Sequence, residues 1–152
     1  MIKCVAFDMD GTLLSINLSA FIAVLAKDES YLLARIGRRS PLSLYAAYGA
    51  ALLAVNSGHR AEDDRRTNRE LFDRVIERWG GAVLSDPVGA DAIDYYEREI
   101  LPRRNDPIIA ARPREGAREA LDCVLGRGLR VALLTNPGFS RSCIRCRMGW
   151  GE

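Results

Sequence analysis

Two aspartates one residue apart, Asp8 and Asp10 in "VAFDMDGTLL", are the side chains in this 152-residue sequence whose type and spacing best suit chemistry. The apolar run before them, "IKCVAF" over residues 2–7, has the composition of a short buried strand. Alternate side chains of an extended segment share a face, so Asp8 and Asp10 can point the same way, and Gly11 permits a sharp turn behind them. Neighbouring carboxylates repel; a divalent cation relieves that repulsion, and oxygen-only donors suit Mg²⁺. A carboxylate is also a nucleophile towards a phosphoryl group, giving an aspartyl-phosphate. A second acid can then protonate the leaving oxygen and later activate water. The plain alternative is a turn held by aspartate side-chain hydrogen bonds and nothing more.

The elements that must position this pair are legible in outline. A second short apolar run, "LRVALL" at 129–134, ends in Thr135-Asn136-Pro137, and a helix opened by Pro113, with Ala117, Leu121 and Val124 apolar, leads into it. In parallel α/β sheets ligands gather at the carboxyl ends of the strands, where both motifs fall. Between them, residues 16–104 are helical in pattern. Phe21, Ile22, Leu25, Leu32 and Leu33 mark a first helix; Pro41 opens a second that runs to Asn56. Leu71, Val75, Ile76 and Trp79 give the face of a third, whose upstream Asp63-Asp64 reads as acid at a helix N-terminus. Asp86 and Pro87 open a fourth, with Ile93, Tyr96 and Ile100 as its face and Pro102 at its end. Strand, helical excursion, helix and strand together predict a parallel α/β sheet carrying a large helical insertion.

Composition narrows the function classes. With 48% hydrophobic and 28% charged residues the chain reads as a soluble globular protein, and a net charge of +2 gives no electrostatic case for nucleic acid or a membrane surface. The most apolar stretch, residues 42–55, falls short of the roughly twenty residues that span a bilayer, so it reads as a buried helix. No secretory signal is visible, and a cytoplasmic location is expected. Cys4 and Cys123 read as small buried hydrophobes in a reducing compartment. Cys143 and Cys146 form a lone C-x-x-C, but Phe139, Cys143, Cys146 and Trp150 follow helical spacing, which favours face packing over metal binding. His59, the single histidine, reads as a loop residue.

"VAFDMDGTLL" resembles the first motif of the haloacid dehalogenase superfamily, an apolar strand followed by D-x-D-G-T-[LV]. "LRVALLTNP" is similar to that family's second motif, and "RPREGAREALDCVLGRG" to the helix that leads into it. The resemblance covers the chain to about Pro137. It implies a Rossmann-like parallel-sheet core, here incomplete, formed by residues 1–15 and 105–152, with residues 16–104 as an inserted helical cap. It also implies Asp8 as nucleophile and Mg²⁺ ligand, and Asp10 as general acid/base that lends its backbone carbonyl to the metal. Thr12 would orient Asp10, and Thr135 with the Asn136 N–H would hold phosphoryl oxygens. The implied substrate is a small phosphorylated metabolite.

The chain departs from that pattern in its last part. The family places a Lys after the second motif and further acids on a later strand, whereas no lysine follows Lys27 and Glu152 is the only acid after Asp122. Arg141, Arg145 and Arg147 supply charge, but on a helix expected to run away from the strand end, and Arg is a planar fork where the family uses a compact point charge. A truncated or frame-shifted phosphatase with little or no activity is therefore expected. The alternatives are a non-catalytic fragment that binds phosphate or metal weakly or docks with another chain, exposed sheet edges offering a route to self-association, and a helical interaction module.

Overall fold

A computed structural model of the chain describes residues 2–57, 65–81, 84–135 and 138–152. In order run β1 (Cys4–Phe7), β2 (Leu14–Ser15), α1 (Leu18–Gly37), α2 (Pro41–Asn56), α3 (Asn68–Gly80), α4 (Pro87–Tyr95), β3 (Arg112–Pro113), α5 (Ala117–Gly126), β4 (Arg130–Leu133) and α6 (Arg141–Gly149). A π-helical turn (Tyr96–Ile100) and a 3₁₀ turn (Leu101–Arg104) continue α4. The two apolar runs pair as parallel strands, Val5 opposite Val131 and Phe7 opposite Leu133, with α5 as the helix entering β4. β2 and β3 pair antiparallel. The fold is mixed α/β, an incomplete Rossmann-like arrangement with a small parallel sheet and many helices.

Local chemistry sets the helix starts. Asn17 caps α1 by accepting from the Ala20 N–H, and Pro41 occupies the first turn of α2. Thr67 and Glu70 form a reciprocal capping box on α3, while Asp86 and Ser140 cap α4 and α6 through the Val88 and Cys143 N–H groups. The side chains bury into two clusters. One joins the C-terminal half of α1 (Leu33, Ala34) to α2, α3 and α4 through Leu44, Tyr48, Phe72, Ile76 and Ile93. The other joins its N-terminal half (Phe21, Leu25) to Met9, Leu14, Leu101, Ile109, Cys143 and Cys146. α1 is thus the beam shared by the helical layer and the end of β1. Among the described residues no helix is long and apolar enough to cross a membrane.

Several expectations need correcting, each for a packing reason. β1 is not a buried strand: its residues alternate between exposed and half-buried, because a two-stranded sheet leaves an uncovered face and open edges. Cys4 and Cys123 are exposed for the same want of a covering layer. Pro113 does not open α5; Arg112 and Pro113 pair with β2, Arg114 N–H donates to the Leu13 carbonyl at 2.9 Å, and the helix begins at Ala117. Trp79 is 65% exposed. α3 approaches α2 so closely that a Cβ on Gly80 would collide with Leu44, and this contact rotates Phe72, Ile76 and Gly80 inward in place of Trp79. The π-helical turn adds one residue, bonding Leu101 N–H to the Tyr96 carbonyl, so Leu101 is fully buried where Ile100 was expected. Asp63, Asp64 and His59 lie outside the described residues, but α3 begins only at Asn68 behind the Thr67 cap, so its first turn carries Glu70 and not the Asp63-Asp64 pair.

Candidate active site

Asp8 and Thr135 leave the parallel sheet from the same end. The Leu134 N–H donates to the Phe7 carbonyl at 2.8 Å, extending the ladder one step past the strands. The chain then turns about a single atom: the N–H groups of Thr12, Leu13 and Leu14 converge on the Met9 carbonyl at 3.2, 3.0 and 2.9 Å. Gly11 takes the left-handed conformation this requires, φ +81°, and its N–H donates to the Leu14 carbonyl at 2.7 Å. Met9, 2% exposed, plugs into the cluster with Leu14, Phe21 and Cys143, so the residues on either side of it are carried on a rigid anchor.

The turn is built from main-chain bonds to Met9, and among the described residues neither Asp8 nor Asp10 bonds the turn backbone through its side chain. Both carboxylates are left free for other partners. Asp8 and Thr12 are exposed, and Asp10 and Thr135 are half-buried. Asn136 lies outside the described residues.

Asp10 has a partner that the sequence reading placed elsewhere. Arg147 Nη1 lies 2.5 Å from Asp10 Oδ2, so α6 does not carry its arginines away from the strand end. The Ser140 cap starts α6, Cys143 and Cys146 bury one face of it, and Arg147 falls on that same face. The Arg147 side chain is fully buried, its guanidinium carbon 5.3 Å from the centre of the Phe21 ring and 4.8 Å from that of Phe139. Trp150 completes the surround, meeting Phe21 edge-on at 5.8 Å and donating its indole N–H to the Pro102 carbonyl at 3.1 Å. The signal for this contact was in the spacing: Arg147 stands four residues from Cys143 and eight from Phe139, on the face those residues mark. The cysteines act as buried hydrophobes, burial pushing both thiols up, that of Cys146 to about 12.

As a cation site, the pair offers oxygen donors only. Mg²⁺ is commonly held by one or two carboxylates with water and substrate phosphate filling the rest of its shell. Asp8 is open to solvent, whereas Asp10 Oδ1 is buried and Oδ2 is held by Arg147, so the Asp8 carboxylate is the accessible side-chain oxygen donor, to which Asp10 would add its main-chain carbonyl. No third acid, histidine or cysteine joins them among the described residues.

A second group of buried charge lies within the helical layer. Glu29 of α1 accepts a hydrogen bond from the Tyr48 hydroxyl of α2, and Glu97 of the π-helical turn accepts one from Ser140 at the start of α6. Burial, and next the charge of Glu97, push the Glu29 carboxyl up to about 8; burial raises Glu97 as well. Nothing in the sequence announced this pair, because its members are 68 positions apart and meet only through helix packing.

No curated protein and no solved structure matches the chain. The family model for haloacid dehalogenase-like hydrolases matches residues 2–149, a span that takes in the Asp8-Met9-Asp10-Gly11 turn, both parallel strands and α6. With a paired-aspartate turn at the end of one parallel strand and a Thr-ended strand beside it, the chain belongs to the haloacid dehalogenase-like hydrolases.

Proposed function

We propose that the chain carries the reaction centre of a Mg²⁺-dependent phosphatase acting on small phosphate monoesters through an aspartyl-phosphate. The observation that carries the reading is the Met9-anchored turn, which spends no side-chain hydrogen bond of Asp8 or Asp10 on its own structure. Asp8, exposed, is the nucleophile; Asp10, one anchored residue further, is the acid that protonates the leaving oxygen and then draws the proton from water. Thr12, Thr135 and Asn136 are the groups that hold Asp10 and the phosphoryl oxygens. Asp8 and Asp10 would hold Mg²⁺, which neutralises phosphoryl charge when bound. Residues 16–104 act as the cap that shapes substrate access. The four cysteines are unpaired, which suits a cytoplasmic setting.

Catalytic output of this sequence is expected to be very low. Positioning and charge neutralisation supply most of phosphoryl-transfer catalysis, and no lysine follows Lys27 to hold nucleophile and phosphate together. Turnover of p-nitrophenyl phosphate with Mg²⁺ is the test. Activity at the background level is expected. Robust turnover lost in Asp8→Asn would refute the low-output expectation while supporting the site; robust turnover that survives Asp8→Asn would overturn the site itself.

A second reading is a fragment that docks with another chain, and the open sheet favours it. Val131 and Leu134 are exposed, and a cavity of about 530 Å³ lies against β4 and α5, lined by Leu121, Leu125, Val131 and Leu133.

A further inference from the structure

We infer that Glu29 and Glu97 share a single proton where α1 meets the π-helical turn, and that this proton latches the start of α6 in place. Glu29 is 5% exposed and Glu97 3%, and their side chains stand within hydrogen-bond reach of each other. Two ionised carboxylates in such contact repel with little water to screen them, and one proton turns the repulsion into a hydrogen bond. The surrounding bonds assign that proton. Tyr48 donates its hydroxyl to Glu29 Oε2, which marks that oxygen as the accepting half of the carboxyl group. Glu29 Oε1 is buried and without a partner; a proton on it, donated to Glu97, supplies the missing bond. Glu97 accepts a second bond, from the Ser140 hydroxyl, and is therefore the ionised member of the pair.

The line of bonds continues past Glu97. Ser140 Oγ accepts from the Cys143 N–H at 3.0 Å, the cap that starts α6. Donors and acceptors thus run from Tyr48 on α2 through both carboxyls to the first turn of the helix that carries Arg147 to Asp10. Loss of the proton sets two buried charges against each other, and separation of the π-helical turn from α1 relieves them. Ser140 moves with Glu97, which loosens α6 and Trp150, whose indole N–H is held by the Pro102 carbonyl just beyond the π-helical turn. The other charges facing the pair are Arg69 and Asp73 from α3 and Asp94 from α4, and Arg69 is already bound to Asp73 at 2.8 Å. Tyr48, Tyr96 and the two α6 thiols, Cys143 and Cys146, are all pushed up by burial. They keep their protons where Glu29, at about 8, gives its proton up.

Infrared spectroscopy of the full chain tests the shared proton, because a protonated carboxyl has its own C=O band. At pH 7 one such band is expected, fading as the pH rises through about 8 and absent in Glu29→Gln. In Glu97→Gln it should fade about one pH unit lower, a tenfold loss of proton affinity, since the neighbouring charge is gone. No band at pH 7, or the same midpoint in Glu97→Gln, overturns the shared proton. Trp150 reports the latch. In Trp79→Phe, where it is the remaining indole, acrylamide quenching should rise over the same pH range while the far-UV dichroism keeps its helical signal. Loss of the band with quenching unchanged overturns the latch, and so does loss of the helical signal in step with the band. Ser140→Ala cuts the line between the pair and α6. Its band should titrate as before, with quenching high at every pH; a pH-dependent rise that persists there overturns the route through α6. If Glu29→Gln does not fold, Glu97→Gln and Ser140→Ala decide the same questions.

Discussion

Neutralising Glu29 should flatten the pH dependence of stability that this protein carries in its helical layer. Glu29 is 5% exposed and faces Tyr48 from α2, Glu97 from the π-helical turn and Arg69 and Asp73 from α3. Its carboxyl, 4.5 in an unperturbed chain, is pushed up to about 8. The folded state therefore keeps a proton that the unfolded chain gives up, across the window from about 4.5 to about 8. Stability is full below that window, falls through it, and levels off above it. The slope for one proton is about 1.4 kcal/mol per pH unit, so the whole window integrates to a ceiling of roughly 5 kcal/mol. Arg69 partly compensates Glu29, and that compensation is already contained in the value of about 8. Glu29→Gln keeps the shape and an oxygen to accept from Tyr48, and cannot ionise. Urea unfolding at pH 5, 6, 7 and 8 should show the unaltered chain losing a few kcal/mol across the series. Glu29→Gln should lose markedly less and be the more stable of the two at pH 8. Parallel curves for the two proteins would refute the reasoning, since the slope would then come from other groups, Glu97 first among them.

Thiol accessibility offers a check on the packing of α6: Cys4 and Cys123 should react with a thiol reagent in the folded protein, whereas Cys143 and Cys146 should react only on unfolding. Rapid modification of all four in native buffer would contradict the burial of the face that carries Arg147. The docking reading predicts concentration-dependent association in sedimentation velocity, weakened by a lysine at Val131 on β4, where an added charge blunts a sheet surface. A monomer at every concentration would remove that reading.

The paired aspartates, the parallel strands around them and the starts of α2 and α4 at Pro41 and Pro87 were legible because each is a local property. A run of apolar residues, a proline in a first turn or a glycine at a turn acts within a few positions, as Pro41 in α2 and Gly11 after Asp10 show. The start of α3 was read too early, at Asp63-Asp64, whereas Thr67 with Glu70 caps the helix. The first motif also carried the resemblance to the family, since it is a continuous string. Helix faces were read less well where a neighbour set the rotation: Trp79 lost its place to the close contact of Gly80 with Leu44, and Ile100 lost its place to a π-helical turn.

The sequence by itself determined which residue types stand together: two carboxylates one residue apart, ahead of a glycine and at the end of an apolar run. Only the tertiary structure decided what those carboxylates meet. Asp10 and Arg147 stand 137 positions apart, and Glu29 and Glu97 stand 68 apart. No local rule couples residues at such separations. The packing of α6 against Phe21 brings the first pair together, and the packing of α1 against the π-helical turn brings the second.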